Sequence, residues 1–300
     1  MTGPAPLFTI DELAGFDGEA LRTFLEPGDG GIDPRDLAHA LRAGDAPLLQ
    51  RVRAALPEPD RAAFAAALDN GASGAAIAAS QRRVMEKLFW PLVYWNRPDE
   101  YAALIRGERI HQRILDELDL DGRIVCDIGA GCGRFALAAA KTAARVIAVD
   151  VIPALLERLR EQAKHEGIRN IDIRRGRFSA LPLDDASIDC AVACSAFTST
   201  GPHGGERALT EAERIVRPGG QVAIIWPQDA RWYTARGYTY IRVEGSGAVE
   251  FQDSEEAESL CRRYYSEAAA RWVHDTGNTC VPYSVLGVPP PNDVCLKRIE

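Results

Sequence analysis

The run Val125-Cys-Asp-Ile-Gly-Ala-Gly-Cys-Gly-Arg-Phe135 holds three glycines, Gly129, Gly131 and Gly133, at two-residue intervals, with Asp127 two residues ahead of the first. Glycine lets a backbone approach a ligand that a Cβ would block. Leaving a strand and entering a helix, such a loop is a ligand cradle at the carboxyl edge of a parallel sheet. Two ligand chemistries compete for it. A pyrophosphate wants G-x-G-x-x-G and sits on the helix N-terminus. From Gly129 that pattern requires a glycine at position 134, where Arg134 stands. This argues against a dinucleotide-dependent oxidoreductase. An acid at the strand end suits a ligand bearing an ammonium group.

Asp150 closes the next strand, and one carboxylate is a matched acceptor for two vicinal hydroxyls. Further on come Gly176 to Leu183 with Asp184-Asp185-Ala-Ser-Ile-Asp189, then Asp189 to Phe197, then Glu211-Ala-Glu-Arg-Ile-Val-Arg-Pro-Gly-Gly220. In order and spacing these segments resemble the class I S-adenosylmethionine (SAM)-dependent methyltransferases over roughly residues 100–300. The resemblance implies a Rossmann-like α/β fold, SAM as cofactor, and a cofactor site of Asp127, Gly129, Ala130, Gly131, Gly133, Asp150, Val151, Ser195 and the adenine-side pair Arg177 and Phe178. Arg177 departs from the family, which often has an acid there. Arginine cannot accept from the adenine amine but can stack on the ring. Cys194-Ser-Ala-Phe197 stands where relatives that methylate nucleic acids or glutamine carry Asn/Asp-Pro-Pro-Tyr.

Methyl transfer from a sulfonium asks mainly for alignment, with a base only where the acceptor must lose a proton. His203, in Thr198-Ser-Thr-Gly-Pro-His-Gly-Gly205, is the catalytic candidate, against the plain reading of an exposed loop histidine. His111 and His165 read as surface or helix-packing residues. The aromatic run around Trp90, Tyr94, Trp95 and Tyr101 precedes the glycine loop; Trp90, Tyr94 and Trp95, with Phe197, are candidates to line an acceptor pocket or else form interdomain core. Tyr101 is the cofactor neighbour among them. Cys126, Cys132, Cys190 and Cys194 raise a thiol cluster or an arsenic methyltransferase, but without CxxC spacing or a histidine partner they read as small buried hydrophobes, and no metal is expected.

Those groups need elements to hold them. From residue 123, strands at 123–127, 145–150, 171–175, 189–194 and 221–226 alternate with helices at 135–144 and 152–166. This predicts a doubly wound, mostly parallel sheet. A strand over 238–244, a helix over 254–273 and a last strand over 293–299 follow. Residues 1–80 read as four short helices, a substrate-shaping or dimerising accessory domain with twelve acidic and six basic residues. Residues 81–118 read as a helical connector and lid interrupted near Pro91 and Pro98, and 119–300 as the SAM-binding domain.

The chain has 300 residues, 46% apolar and 26% charged, enough for a large core. Its net charge of −8 gives no global excess of cations for phosphates, so nucleic acid is disfavoured. Seven scattered cysteines and the lack of an export or membrane signal point to the cytoplasm. The expected activity is methylation of a small molecule, marginally at oxygen, in specialised metabolism, with S-adenosylhomocysteine released and a homodimer as partner state. The alternative is a SAM-binding regulatory or assembly protein without turnover.

Overall fold

The computed structural model describes residues 7–25, 31–199 and 204–300. Packing divides the chain into two units, residues 1–97 with 200–205, and residues 98–199 with 206–300.

In the first unit a 3-10 turn, Ile10–Gly15, leads to α1 (Gly18–Phe24), α2 (Pro34–Ala40), α3 (Ala46–Ala55), α4 (Glu58–Asp69) and α5 (Gly74–Asn96). Asp17, Asp33, Asp45 and Ser73 start four of these helices by accepting from first-turn amides. Leu13, Phe16, Leu21, Leu37, Leu41 and Phe64 are fully buried and form a core of this unit's own. The interruption expected at Pro91 does not occur. Pro91 lies inside α5, which ends at Asn96. Val84, Leu88 and Leu92 recur every four residues on one buried face. Their burial outweighs the hydrogen bond that proline removes. A boundary at residue 80 therefore falls inside one helix, and the expected connector 81–118 is split between the two units.

The second unit runs α6 (Pro98–Arg106), α7 (Gln112–Leu118), β1 (Ile124–Ile128), α8 (Arg134–Ala139), β2 (Arg145–Asp150), α9 (Pro153–His165), β3 (Ile171–Arg175), β4 (Ile188–Cys194), α10 (Gly205–Arg214), β5 (Val216–Ile225), α11 (Ala230–Thr234) and β6 (Thr239–Arg242). Then come β7 (Ala248–Glu250), α12 (Ser254–Leu260), a π-helical turn (Cys261–Tyr265), α13 (Glu267–Thr276), β8 (Cys280–Pro282), α14 (Tyr283–Leu286) and β9 (Asp293–Arg298). Among the described residues the main sheet has seven strands in the order β3-β2-β1-β4-β5-β9-β6. β1 to β5 pair in parallel, and β9 runs antiparallel to β5 and β6. The chain order reverses between β1 and β4, which is where a ligand crevice opens in such a sheet.

Both sheet faces are covered, as near-continuous apolar strands require. Val125, Val146, Val192 and Ile225 pack on one side with Phe135 of α8 and Leu159 of α9. Ile128, Val149, Ala193 and Ile224 pack on the other with Leu209 and Ala212 of α10. A smaller core joins α6 to the segment between β6 and β9. The single helix expected over 254–273 is instead α12, the π turn and α13, because Ser266 is extended and caps α13 through the amide of Ala269 at 3.0 Å.

Candidate functional site

The carboxyl end of β1 builds the site. Gly129, Gly131 and Gly133 all take positive φ, so the loop needs residues without a Cβ. Contacts say the same at two of them: a Cβ at Gly129 would lie 2.5 Å from that of Ala196, and one at Gly133 would lie 2.3 Å from Leu159 Cδ1. The amides of Gly129 and Ala130 both donate to the Val149 carbonyl, at 2.8 and 3.0 Å, which ties the loop to β2.

Asp127 is 1% exposed. Its Oδ2 accepts from the Ala136 amide in α8 at 2.9 Å, while its Oδ1 is buried with no partner. Burial, and then Asp150 nearby, push this carboxyl up to about 7. Asp150 is fixed by two amides: Oδ2 accepts from Gly131 and Oδ1 from Ile152, at 2.8 and 2.9 Å. Burial pushes it up as well, against hydrogen bonds from Ile152, Gly131 and the adjoining Val151. Two carboxyls therefore lie beneath one glycine loop, one of them with an unused buried acceptor.

The structure brings Tyr101 to this loop, its ring 3.5 Å from where a Cβ of Gly131 would be. Phe178 comes within about 3 Å of the corresponding point at Gly129 and packs on Phe197, with ring centroids 5.2 Å apart. Phe197 is 3% exposed, so it backs Phe178 instead of presenting a face to an acceptor. Arg177 is half-buried next to Phe178 and bridges to Ala180. Ser195 is exposed just past β4 in a left-handed conformation, its amide donating to Ile225 O at 2.9 Å. Asp189 belongs to the other end of β4, where its Oδ2 holds the Ile124 amide at 2.8 Å.

Trp90, Tyr94 and Trp95 sit on α5 in the first unit. Trp95 packs tilted against Phe16, with ring centroids 5.3 Å apart, and donates Nε1–H to Gly15 O at 2.8 Å, so it anchors that unit's own core. Trp90 stacks on Tyr94 at 5.9 Å. His203 lies outside the described residues. Burial pushes the thiols of Cys132 and Cys190 up to about 12 and that of Cys194 up to about 11, and Cys126 rises for the same reason. Such thiols are poor nucleophiles and ligands.

Sequence reasoning used Arg134 only as a missing glycine and passed over its partners. Arg134 opens α8, is 10% exposed at its side chain, and is ion-paired with Glu108, itself 9% exposed. It also reaches the Cys194 carbonyl at 3.5 Å and lies 5.9 Å over the ring of Trp226, just past β5. A cation at a helix N-terminus opposes the helix dipole. That mismatch at position 134 was the available signal that a buried acid must answer it. A hollow of about 480 Å³ beside Lys164, Gly167 and Ile171 opens at the start of β3, the edge opposite the glycine loop, and does not belong to this site.

Residues 125–220 match the family model described as a methyltransferase domain. An uncharacterised methyltransferase-like protein of Schizosaccharomyces pombe is 33% identical over 115 residues, which are 38% of this chain and 42% of that protein. An uncharacterised methyltransferase of Mycobacterium tuberculosis is 33% identical over 104 residues, 35% of this chain and 40% of that one. The chain thus spans about two fifths of the length of these relatives. Among solved structures, a SAM-dependent methyltransferase from Aquifex aeolicus aligns over 52% of this chain and 92% of its own, with 21% identity and a TM-score of 0.42.

Proposed function

We infer, from the match of residues 125–220 to the methyltransferase-domain family, an enzyme that transfers the methyl group of SAM to a small-molecule acceptor and releases S-adenosylhomocysteine. The observation that carries the reading is the unpartnered, buried Oδ1 of Asp127 beneath the glycine loop. A ligand ammonium group answers an orphaned acid of this kind.

The other residues fit the same ligand. Asp150, oriented by the Gly131 and Ile152 amides, would take the ribose hydroxyls. Phe178, with Arg177 beside it, would hold the adenine, and Tyr101 would cover the loop. When bound, SAM supplies an electrophilic methyl on a sulfonium. The chain's own task is to align an acceptor in line with that methyl and to exclude water. An oxygen acceptor must lose a proton, and His203 is the base we assign to that step. A small acceptor is supported by the net charge of −8, which offers no track for phosphates, and by Cys194-Ser-Ala-Phe197, which lacks the Asn/Asp-Pro-Pro-Tyr clamp for amide and base nitrogens. Among the described residues no helix is long and apolar enough to cross a membrane.

The test is calorimetry of the full chain with SAM, S-adenosylhomocysteine and NADH, followed by mass spectrometry of methylated products from phenols, carboxylic acids and amines. Binding of the first two with a methylated product is expected. SAM binding with no product from any class would make the chain a binding protein, and binding of NADH alone would overturn the reading of the glycine loop.

A further inference from the structure

At the carboxyl edge of the sheet, β6 ends where β9 begins. The Val243 amide donates to Asn292 O at 2.8 Å, and the Trp226 amide donates to Asp293 O at 2.9 Å. A half-open cavity of about 300 Å³ lies there, bounded by residues 107, 109–111, 245–248 and 290–292. Its apolar lining is Tyr283, Pro290, Pro291 and Ile110. Glycine makes the room, since a Cβ on Gly247 would stand only 3.0 Å from the Tyr283 ring.

His111 supplies a fixed donor at this lining, where the Asn292 side-chain amide already donates to Gly245 O at 3.4 Å. His111 caps α7, its Nδ1 accepting from the Arg113 amide at 3.2 Å. With Nδ1 engaged as an acceptor, the neutral ring carries its proton on Nε2. Nε2 is the ring atom that faces Gly245, 3.5 Å from where a Cβ there would be. At the rim Arg109 and Glu250 pair at 3.2 Å with side chains 84% and 61% exposed, so their charges offset one another and do not select an ion.

A wall separates this cavity from the glycine loop. Tyr283 meets Trp226 edge to face at 6.4 Å, and Arg134 lies over the Trp226 ring. Glu108, between two residues that line the cavity, turns away from it to pair with Arg134.

We propose that the cavity is a second small-molecule site, distinct from the glycine loop, that takes a flat aromatic ring bearing a carbonyl. The ring packs on Tyr283 and the proline rings, and the carbonyl oxygen accepts from His111 Nε2–H. The volume is at the lower limit of small-ligand sites, about 300 to 1,000 Å³, and admits one ring with a short substituent. The site does not depend on the methyl-transfer reading.

Benzamide is the probe, titrated into the full chain by calorimetry and by ligand-observed NMR, with acetamide as the ringless control. Saturable benzamide binding is expected, with a dissociation constant on the order of 1 mM, as suits so small a ligand. Acetamide should not bind. Gly245→Leu, at a backbone position without positive φ, should fill the cavity and abolish binding. His111→Asn keeps a good helix cap but removes the donor, and should weaken binding about tenfold. Both variants should retain the wild-type melting temperature and SAM response. Absence of saturable benzamide binding, unchanged binding in Gly245→Leu, or displacement of benzamide by SAM would each overturn the proposal.

Discussion

Asp127 combines a structural duty with a vacant acceptor, and the two pull its proton in opposite directions. Its folded carboxyl titrates near 7 against an ordinary value of 3.8. A raised acid favours the fold fully below its ordinary value and loses that contribution as pH rises through the folded value. Asp127→Asn should therefore flatten the pH dependence of stability and leave the free chain more stable than wild type at pH 8, which urea unfolding at pH 5 and 8 checks. The same substitution should cost SAM about 2 kcal/mol of binding by removing a charge-assisted contact. Because a cationic ligand needs the ionised acid, wild-type affinity for SAM should rise about fivefold between pH 6 and 7, with a proton released on binding. Calorimetry in buffers of different ionisation enthalpy reads that proton.

The Glu108–Arg134 pair is the second residue-scale feature. Removing one member of a buried pair strands the other. Glu108→Gln should lower unfolding free energy by about 3 kcal/mol, and adding Arg134→Met should recover part of the loss. Chemical denaturation of the single and double variants tests this. At this scale the cofactor loop was legible because its requirements are local: Asp127, the three glycines and Asp150 lie in one strand-loop-helix-strand stretch. Glu108, Trp226 and Tyr283 were not legible, since 26 residues separate Glu108 from Arg134 and each of the three is ordinary in its own neighbourhood.

At the scale of elements, short-range rules succeeded wherever one signal dominated. Alternating apolar strands and amphipathic helices gave β1 to β4 within one residue of their observed bounds, whereas β5 begins at Val216, five residues ahead of the expected start, because strand pairing continues across the Arg217-Pro-Gly-Gly220 stretch that reads as a turn. Proline at position 91 misled because tertiary burial of Val84, Leu88 and Leu92 outweighs a local propensity. Over 254–273 the reverse happened. Apolar spacing suggested one helix, yet Ser266 caps a new one, and the π turn before it directs Tyr264 to Glu100, the hydroxyl donating at 2.6 Å. Ser266→Ala should cost about 1 kcal/mol, the usual loss for an N-cap. Thermal melts checked against Ser266→Asp, which restores the cap, distinguish capping from packing.

At the scale of the molecule, two units each hold a core. Packing within 1–97 rests on its own leucines and phenylalanines, whereas every residue assigned to the cofactor lies within 98–199. Differential scanning calorimetry should resolve two transitions, with SAM at a hundredfold excess over its dissociation constant stabilising the unit that binds it by about 2.7 kcal/mol and leaving the other transition in place. A single transition that moves as a whole would instead make the chain one cooperative body. The sequence's change of character near residue 123 marked the sheet but not the division of the chain, because α6 and α7 look like the helices before them and only their packing assigns them to the second unit.

Ser195 and Trp226 hold left-handed backbone at the ends of neighbouring strands, with φ of 54° and 57°. Left-handed geometry costs a residue with a side chain about 1 kcal/mol that glycine does not incur. For the backbone alone, the usual ranking of replacements is inverted at these two positions: glycine relieves the strain and a β-branched residue adds most to it. At Ser195, which is exposed, glycine is therefore a benign replacement, whereas at Trp226 loss of the ring that packs with Arg134 and Tyr283 outweighs the relief. Both positions adjoin the site at the carboxyl edge of the sheet, where backbone strain of this kind tends to collect, and at Trp226 the strained backbone carries the ring that Arg134 lies over.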